Sequence, residues 1–180
     1  MILRVGVLAA LVAVALAGCG GKKSATCEPR AGAGTQLRSS DAMGESIGYL
    51  TAVRVETEDC VDRVTFDFRR GAGSPGFHAE YLPASQALVQ DGSGARVPVD
   101  GSAFLVVRIT PAATAEPKGD GLHFTYTGPK RIRVDDGRSL REVVKTGDFE
   151  AQLTWVLGLE ARRPFTADAS SPSRLVIEVG

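Results

Sequence analysis

The sequence contains no asparagine, two histidines, three cysteines and one tryptophan, and its charges cancel at 21 Lys and Arg against 21 Asp and Glu. Without a basic surplus it lacks the charge balance that phosphate neutralisation requires, which excludes nucleic acid as a partner. A catalytic zinc takes three protein ligands, commonly histidine with a carboxylate. His78 and His123 stand in no such spacing, so neither a metal nor a cofactor is expected. There is no G-x-S-x-G elbow and no S-x-x-K, so serine acylation lacks its frame. His78 and Glu80 lie two residues apart and share a strand face, but no nucleophile motif accompanies them. The chain is therefore read as a non-enzyme. Its longest apolar stretch, Val5 to Leu16, would make a helix about 18 Å long, well short of a ~30 Å hydrocarbon core.

What is present begins with that stretch. Met1 and Arg4 precede it and small residues follow, the layout of a secretory signal peptide over residues 1–18. Its end, Leu16-Ala17-Gly18-Cys19, resembles the lipobox of bacterial lipoproteins. That resemblance implies cleavage before Cys19 and a diacylglyceryl group on its sulfur. The mature chain would then be held by acyl chains to the extracytoplasmic face of the cell membrane. The alternative is an ordinary signal peptide. Removing Arg4 leaves 20 basic against 21 acidic residues. With Cys19 acylated, Cys27 and Cys60 remain. Outside the cytoplasm they are a candidate disulfide, against the alternative of two unpaired thiols. A bridge would close a loop of roughly 33 residues and add about 3–4 kcal/mol in a chain-entropy estimate. It would also shorten the tether from Cys19 to about eight residues, at most ~28 Å.

Residues 19–47 are rich in Gly, Ala and Ser and poor in large apolar side chains, so a flexible linker is expected there. Residues 48–180 are an ordinary length for one domain with its own core. Within them the apolar period is two. Tyr49, Thr51, Val53 and Val55 fall on one face of a strand, and Val64, Phe66 and Phe68 on one face of the next. Leu105, Val107 and Ile109 align with Phe104 and Val106 on the reverse, predicting a strand covered on both sides. Leu122, Phe124 and Tyr126 alternate with His123 and Thr125; Leu153, Trp155, Leu157 and Leu159 align, as do Leu175, Ile177 and Val179. Such alternation predicts half-buried strands, separated here by Gly-rich turns. The best helix candidate is "SLREVVKTG", whose Val143-Val144 suits a strand equally well. Together these features predict an all-β fold, a β-sandwich of short, mainly antiparallel strands.

"GAGSPG", with Gly71, Gly73 and Gly76, fits the dinucleotide fingerprint G-x-G-x-x-G, but that chemistry needs a helix to start there, and Pro75 and "FHAEYLP" argue for a hairpin loop instead. "GPKRIRVDDGR" places Arg131 and Arg133 on one strand side, and "EARRPF" adds Arg162 and Arg163. These four are the candidate ligand-binding residues, because guanidinium groups fork onto carboxylates and phosphates. The competing interpretation is a solvated face balanced by Asp135, Asp136 and Glu160. Trp155, flanked by leucines at i±2, is assigned to the core rather than to sugar stacking.

Several segments in order, "YLTAVRVETEDCVDRVTFDFR", "GFHAEYLP", "GSAFLVVRITPAA", "TYTGP" and the C-terminal "GDFEAQLTWVLGLEARRPFTADASSPSRLVIEVG", resemble the AMIN-like domain of lipoproteins from high-GC Gram-positive bacteria. Asp62-Arg63-Val64 with Phe66, Gly158-Leu159 before Pro164-Phe165, and the closing Pro172-x-Arg174-Leu175-Val176 are its most telling residues. Arginine outnumbers lysine and asparagine is absent, as in GC-rich genomes. The resemblance implies a β-sandwich over residues 48–180, similar to the AMIN domains that target cell-wall amidases and secretin complexes to peptidoglycan. It implies a module that binds peptidoglycan or an anionic wall polymer without catalysis. The alternatives are a small-molecule or lipid carrier and a docking module for a membrane protein. Asp62-Arg63 is expected to form a structural salt bridge at a strand start. The Cys27–Cys60 pairing has no support from the family.

Overall fold

The computed structural model describes residues 27–42, 46–69, 75–83, 86 and 88–180; Cys19 and the 1–18 segment lie outside the described residues. Two sheets face each other. The larger is ordered β1 (Arg38–Ser40), β4 (Gly76–Tyr81), β5 (Ala103–Thr110), β11 (Gln152–Leu159), β10 (Leu140–Phe149), β9 (Arg131–Arg133). The second is ordered β12 (Phe165–Asp168), β13 (Arg174–Val179), β3 (Asp62–Phe68), β2 (Gly48–Thr57), β6 (Ala112–Ala113). A separate hairpin pairs β7 (Ala115–Lys118) with β8 (Gly121–Phe124). Pairing is antiparallel except between β2 and β6, and the described residues contain no helix. The fold is the expected β-sandwich.

The core follows from the period-two pattern. Val64, Phe66 and Phe68 of β3 and Leu175, Ile177 and Val179 of β13 meet Leu105, Val107 and Ile109 of β5 and Leu153, Trp155, Leu157 and Leu159 of β11, all buried. Trp155 sits at the centre, edge-on to Phe66 at 5.7 Å and to Tyr126 at 5.8 Å between ring centroids. Its assignment to the core is correct. β5 is indeed covered on both sides. Val106, Val156 and Val144 stand in register across β5, β11 and β10 on the outer face and are buried as well. The connection from β4 to β5 runs over that face, tied down where Asp91 N donates to Thr146 O and Thr154 Oγ1 donates to the Asp91 carboxylate.

Four expectations need correction. In β2 the register shifts between Leu50 and Ala52, so Thr51 is an extra residue. A bulge of this kind reverses which side chains face inward. Leu50 is therefore fully buried and Thr51 exposed, while Val53 and Val55 still pack against the core and Tyr49 lies under the Arg69 guanidinium. "SLREVVKTG" is strand, as the paired valines allowed: it supplies most of β10, held between β9 and β11, with Val143 toward the opposite sheet. Leu122 and Phe124 are exposed because β8 pairs only with β7, outside the sandwich; Tyr126 alone of that series is buried. Finally, Gly76 opens β4 and not a helix, but the expected hairpin loop is not found either, because β3 and β4 lie in different sheets and the chain crosses between them there; Gly71 and Gly73 lie outside the described residues.

The 19–47 linker is also revised where it is described. Cys27 and Cys60 form a disulfide with Cα atoms 5.3 Å apart. Beyond it, Gly34 and Phe165 exchange two backbone hydrogen bonds, and β1 pairs with β4. The segment thus joins the edge strand of one sheet to the edge strand of the other. Backbone pairing holds it, which explains why a composition poor in apolar side chains did not reveal it.

The clasp between the sheets at the other side is Asp62, fully buried at the start of β3. Its carboxylate accepts from the backbone N–H of Arg138 (3.0 Å), Ser139 (2.7 Å) and Leu140 (2.8 Å), and from Thr57 Oγ1 (3.0 Å). Arg63 does not pair with it; that guanidinium turns to Glu178 (Nε–Oε1 2.9 Å) and Glu58. Asp62 is therefore structural, though through backbone donors rather than the expected salt bridge. Asp62→Ala would leave three backbone N–H groups, two of them buried, without their acceptor and is expected to cost about 3–5 kcal/mol, with Asp62→Asn, which keeps one acceptor oxygen, costing less. Urea unfolding midpoints of the variants check this, and a loss for alanine below about 1 kcal/mol would contradict it.

Candidate functional site

The site is built on β9, the outer strand of the larger sheet. Its alternation turns Ile132 and the following Val134 toward the core and leaves Arg131, Arg133 and Asp135 on the opposite side. β10 lies beside it with Glu142 as the Cα partner of Arg133. The Pro98–Asp100 segment forms the facing wall. Between them is an open groove of about 780 Å³ lined by Arg131, Arg133, Asp135, Arg141, Glu142 and Asp100, with Pro98, Val99 and Val134. Its size falls within the ~300–1,000 Å³ span of small-ligand clefts.

Glu142 organises this groove. Its side chain is only 2% exposed, and its carboxylate takes the Arg131 guanidinium and the Asp100 backbone N–H. Arg131 also donates to the Pro98 carbonyl at 2.7 Å. One ion pair therefore ties β10, β9 and the loop wall together. Gly158 of β11 completes the seat, because a Cβ there would run into the Asp100 carbonyl oxygen. At the next residue of the loop, Gly101 adopts φ 133°, a conformation that side chains other than glycine's rarely reach.

The four candidate arginines are not brought together. Arg131 and Arg133 line the groove, whereas Arg162 and Arg163 lie outside its lining, on the connection from β11 to β12. The Arg162 guanidinium stacks over the Tyr81 ring at 4.9 Å and donates to Thr35 O, which secures the N-terminal segment. Arg163 is bound through its backbone: the Tyr81 hydroxyl donates to Arg163 O at 2.8 Å and accepts from Arg163 N at 3.1 Å. Burial pushes the Tyr81 phenol above its ordinary pKa, while the hydrogen bond to Arg163 and the two nearby arginine charges pull the other way. Within the groove the roles also divide. Arg131 is engaged by Glu142 and Arg141 by Glu160 at 2.8 Å, whereas Arg133 has no ion pair among the described residues. Asp100, Arg141 and Glu142 were not anticipated as site residues. No motif marks them, since they converge only through strand pairing and loop packing.

His78 and Glu80 do share a face, as expected, with Nε2–Oε1 at 3.4 Å, and Arg108 reaches the same carboxylate at 3.0 Å. No hydroxyl or thiol of the described residues hydrogen-bonds to His78, and among those residues no cluster of three or more His, Cys, Asp or Glu is placed to hold a metal ion. None of the groove's lining residues is aromatic, so it offers polar contacts rather than a stacking platform.

The fold and the groove define a disulfide-linked β-sandwich module with a charged cleft along one edge. The chain belongs to the AMIN-like domain family, whose sequence model matches residues 48–180. Domains of this family are generally extracytoplasmic parts of the cell envelope. No curated protein and no solved structure matches the chain.

Removal of the Glu142 side chain by Glu142→Ala is expected to cost about 2 kcal/mol, less than a fully buried pair because Arg131 keeps solvent access. Amide exchange at Asp100 is expected to quicken in the same variant. Unchanged exchange there would show that Glu142 does not hold the loop.

Proposed function

We propose that this chain is an extracytoplasmic lipoprotein, anchored to the cell membrane through acyl groups on Cys19, whose β-sandwich binds peptidoglycan or another cell-envelope component without catalysis. The observation that carries this proposal is the membership of residues 48–180 in the AMIN-like domain family. The groove on β9 supplies a surface suited to it: an exposed guanidinium, Arg133, beside carboxylates and backbone groups, in a cleft open to a polymer from outside. Exposed surface charges usually contribute little one at a time, so binding would be modest and sensitive to salt. A second reading, a docking module for a membrane protein, is favoured by the β7–β8 hairpin, where Leu122 is 66% and Phe124 61% exposed. Two apolar side chains on one exposed hairpin face suit a protein partner better than a polar polymer.

Full-length protein purified in mild detergent is expected to pellet with purified sacculi at low salt and to be released as salt rises. Absence of pelleting at low salt would overturn the wall-binding half of the proposal. For the anchoring half, intact-mass measurement of protein recovered from bacterial membranes is expected to show Cys19 as the first residue, carrying a diacylglyceryl group. A free thiol at Cys19, or an N-terminus elsewhere, would overturn it.

A further inference from the structure

We infer that the β9 groove recognises a zwitterionic peptide end, one that carries both a free carboxylate and a free amine, and not a polyanion. This rests on the envelope-binding reading above and narrows it. The lining holds three cations, Arg131, Arg133 and Arg141, and three anions, Asp100, Asp135 and Glu142. Arg131 and Glu142 neutralise each other, and Arg141 is held by Glu160. Among the described residues the charges left without an ion pair are one guanidinium, Arg133, and two carboxylates, Asp100 and Asp135, all three exposed. A phosphate-rich polymer entering the groove meets two like charges for each opposite one, and like charges brought together at close range oppose binding. A peptide end fits the same array. Its carboxylate forks onto Arg133 in the planar geometry that a guanidinium offers, and its ammonium, a donor on every hydrogen, meets Asp100 or Asp135. The Arg131–Glu142 pair supplies no free charge. It holds the two walls at a set spacing, so that the three open groups are preorganised on β9 and on the loop.

The test is an NMR titration of the full-length protein in detergent with three probes. The first is Nα-acetyl-Lys-D-Ala-D-Ala, which has one amine and one carboxylate; the second is the same peptide acetylated on its side-chain amine; the third is inorganic polyphosphate. The first is expected to shift the amides of Asp100, Arg133 and Asp135 saturably. Blocking the amine is expected to weaken binding about threefold to tenfold, and Arg133→Gln and either Asp100→Asn or Asp135→Asn to weaken it similarly. These side chains are exposed and without ion pairs, so the variants should keep the wild-type unfolding midpoint. The inference is overturned if polyphosphate binds the groove as tightly as the peptide, if blocking the amine has no effect, if neither Asp100→Asn nor Asp135→Asn weakens binding, or if no probe shifts these amides. Sacculus pelleting that persists in any of those cases leaves the wall-binding proposal standing and removes only this one.

Discussion

A single buried carboxylate decides where the rest of the molecule can sit. Asp62 belongs to one sheet, and its three backbone donors lie at the point where the chain enters β10 of the other. A charge taken out of water is tolerated only when its hydrogen-bonding capacity is filled, and three N–H groups with a threonine hydroxyl do that here. Because those donors are successive, the carboxylate fixes a backbone turn and not merely a contact. The start of β10 is thereby set, and with it the position of Glu142 two residues on. Glu142 in turn holds Arg131 and the Asp100 amide. The groove is thus the far end of a chain of constraints that begins in the opposite sheet.

The N-terminal segment closes the other side by a different kind of bond. An open sandwich leaves edge strands with unpaired N–H and C=O groups, which invite pairing with other chains. Here β1 covers the edge of β4 and Gly34 covers part of β12, so one strap protects an edge of each sheet. Tyr81 reinforces the corner with two hydrogen bonds to Arg163, an edge-on contact to Phe165 and the Arg162 guanidinium above its ring. The disulfide ties the beginning of this strap to the β2–β3 turn. Closing a 33-residue separation stabilises the fold chiefly by limiting the unfolded chain, about 3–4 kcal/mol in the entropy picture.

Where the sequence was legible, one face of a strand met the core and the other met solvent. β13 behaves that way and β3 nearly so, with Thr65 buried on its outer face; the outer face of β11 is covered as well, yet the inward residues of all three were identifiable from alternation alone. The errors arise where a second rule intervenes. A bulge in β2 reverses its phase after Leu50, which alternation cannot register. The β8 pattern looks like a core strand because Leu122 and Phe124 alternate properly, yet no sheet lies beneath them. The strap is invisible to hydrophobic patterning because only its backbone takes part. At the candidate site, the sequence marked arginines by type and by their place on a strand side, and it could not say which would be neutralised. That depends on Glu142, brought opposite β9 by a pairing between segments separated by a turn, and on the loop that Gly158 admits.

The division of labour among the arginines bears on what a binding surface in this fold can be. β9 is the outer strand of its sheet, and charged side chains on such a strand discourage edge-to-edge association whether or not they bind anything. That role would be served by any exposed cation and requires no cleft. Arg131 goes beyond it, because its guanidinium is turned inward onto a nearly buried glutamate and a loop carbonyl, which builds a wall at the cost of desolvating a charge. The groove also lies close to the disulfide turn, since Arg138, just before β10, donates to the Glu58 carbonyl beside Cys60. Under the proposed anchoring, a tether of about eight residues reaches at most ~28 Å, so the cleft would work close to the lipid surface. The apolar β7–β8 hairpin springs from the opposite end of β2, where β6 pairs with Gly48 and Tyr49, and ten strand residues separate the two ends by about 30 Å. The anchored end would then carry the polar cleft and the free end the apolar surface, so that a wall contact and a protein contact need not compete for the same ground.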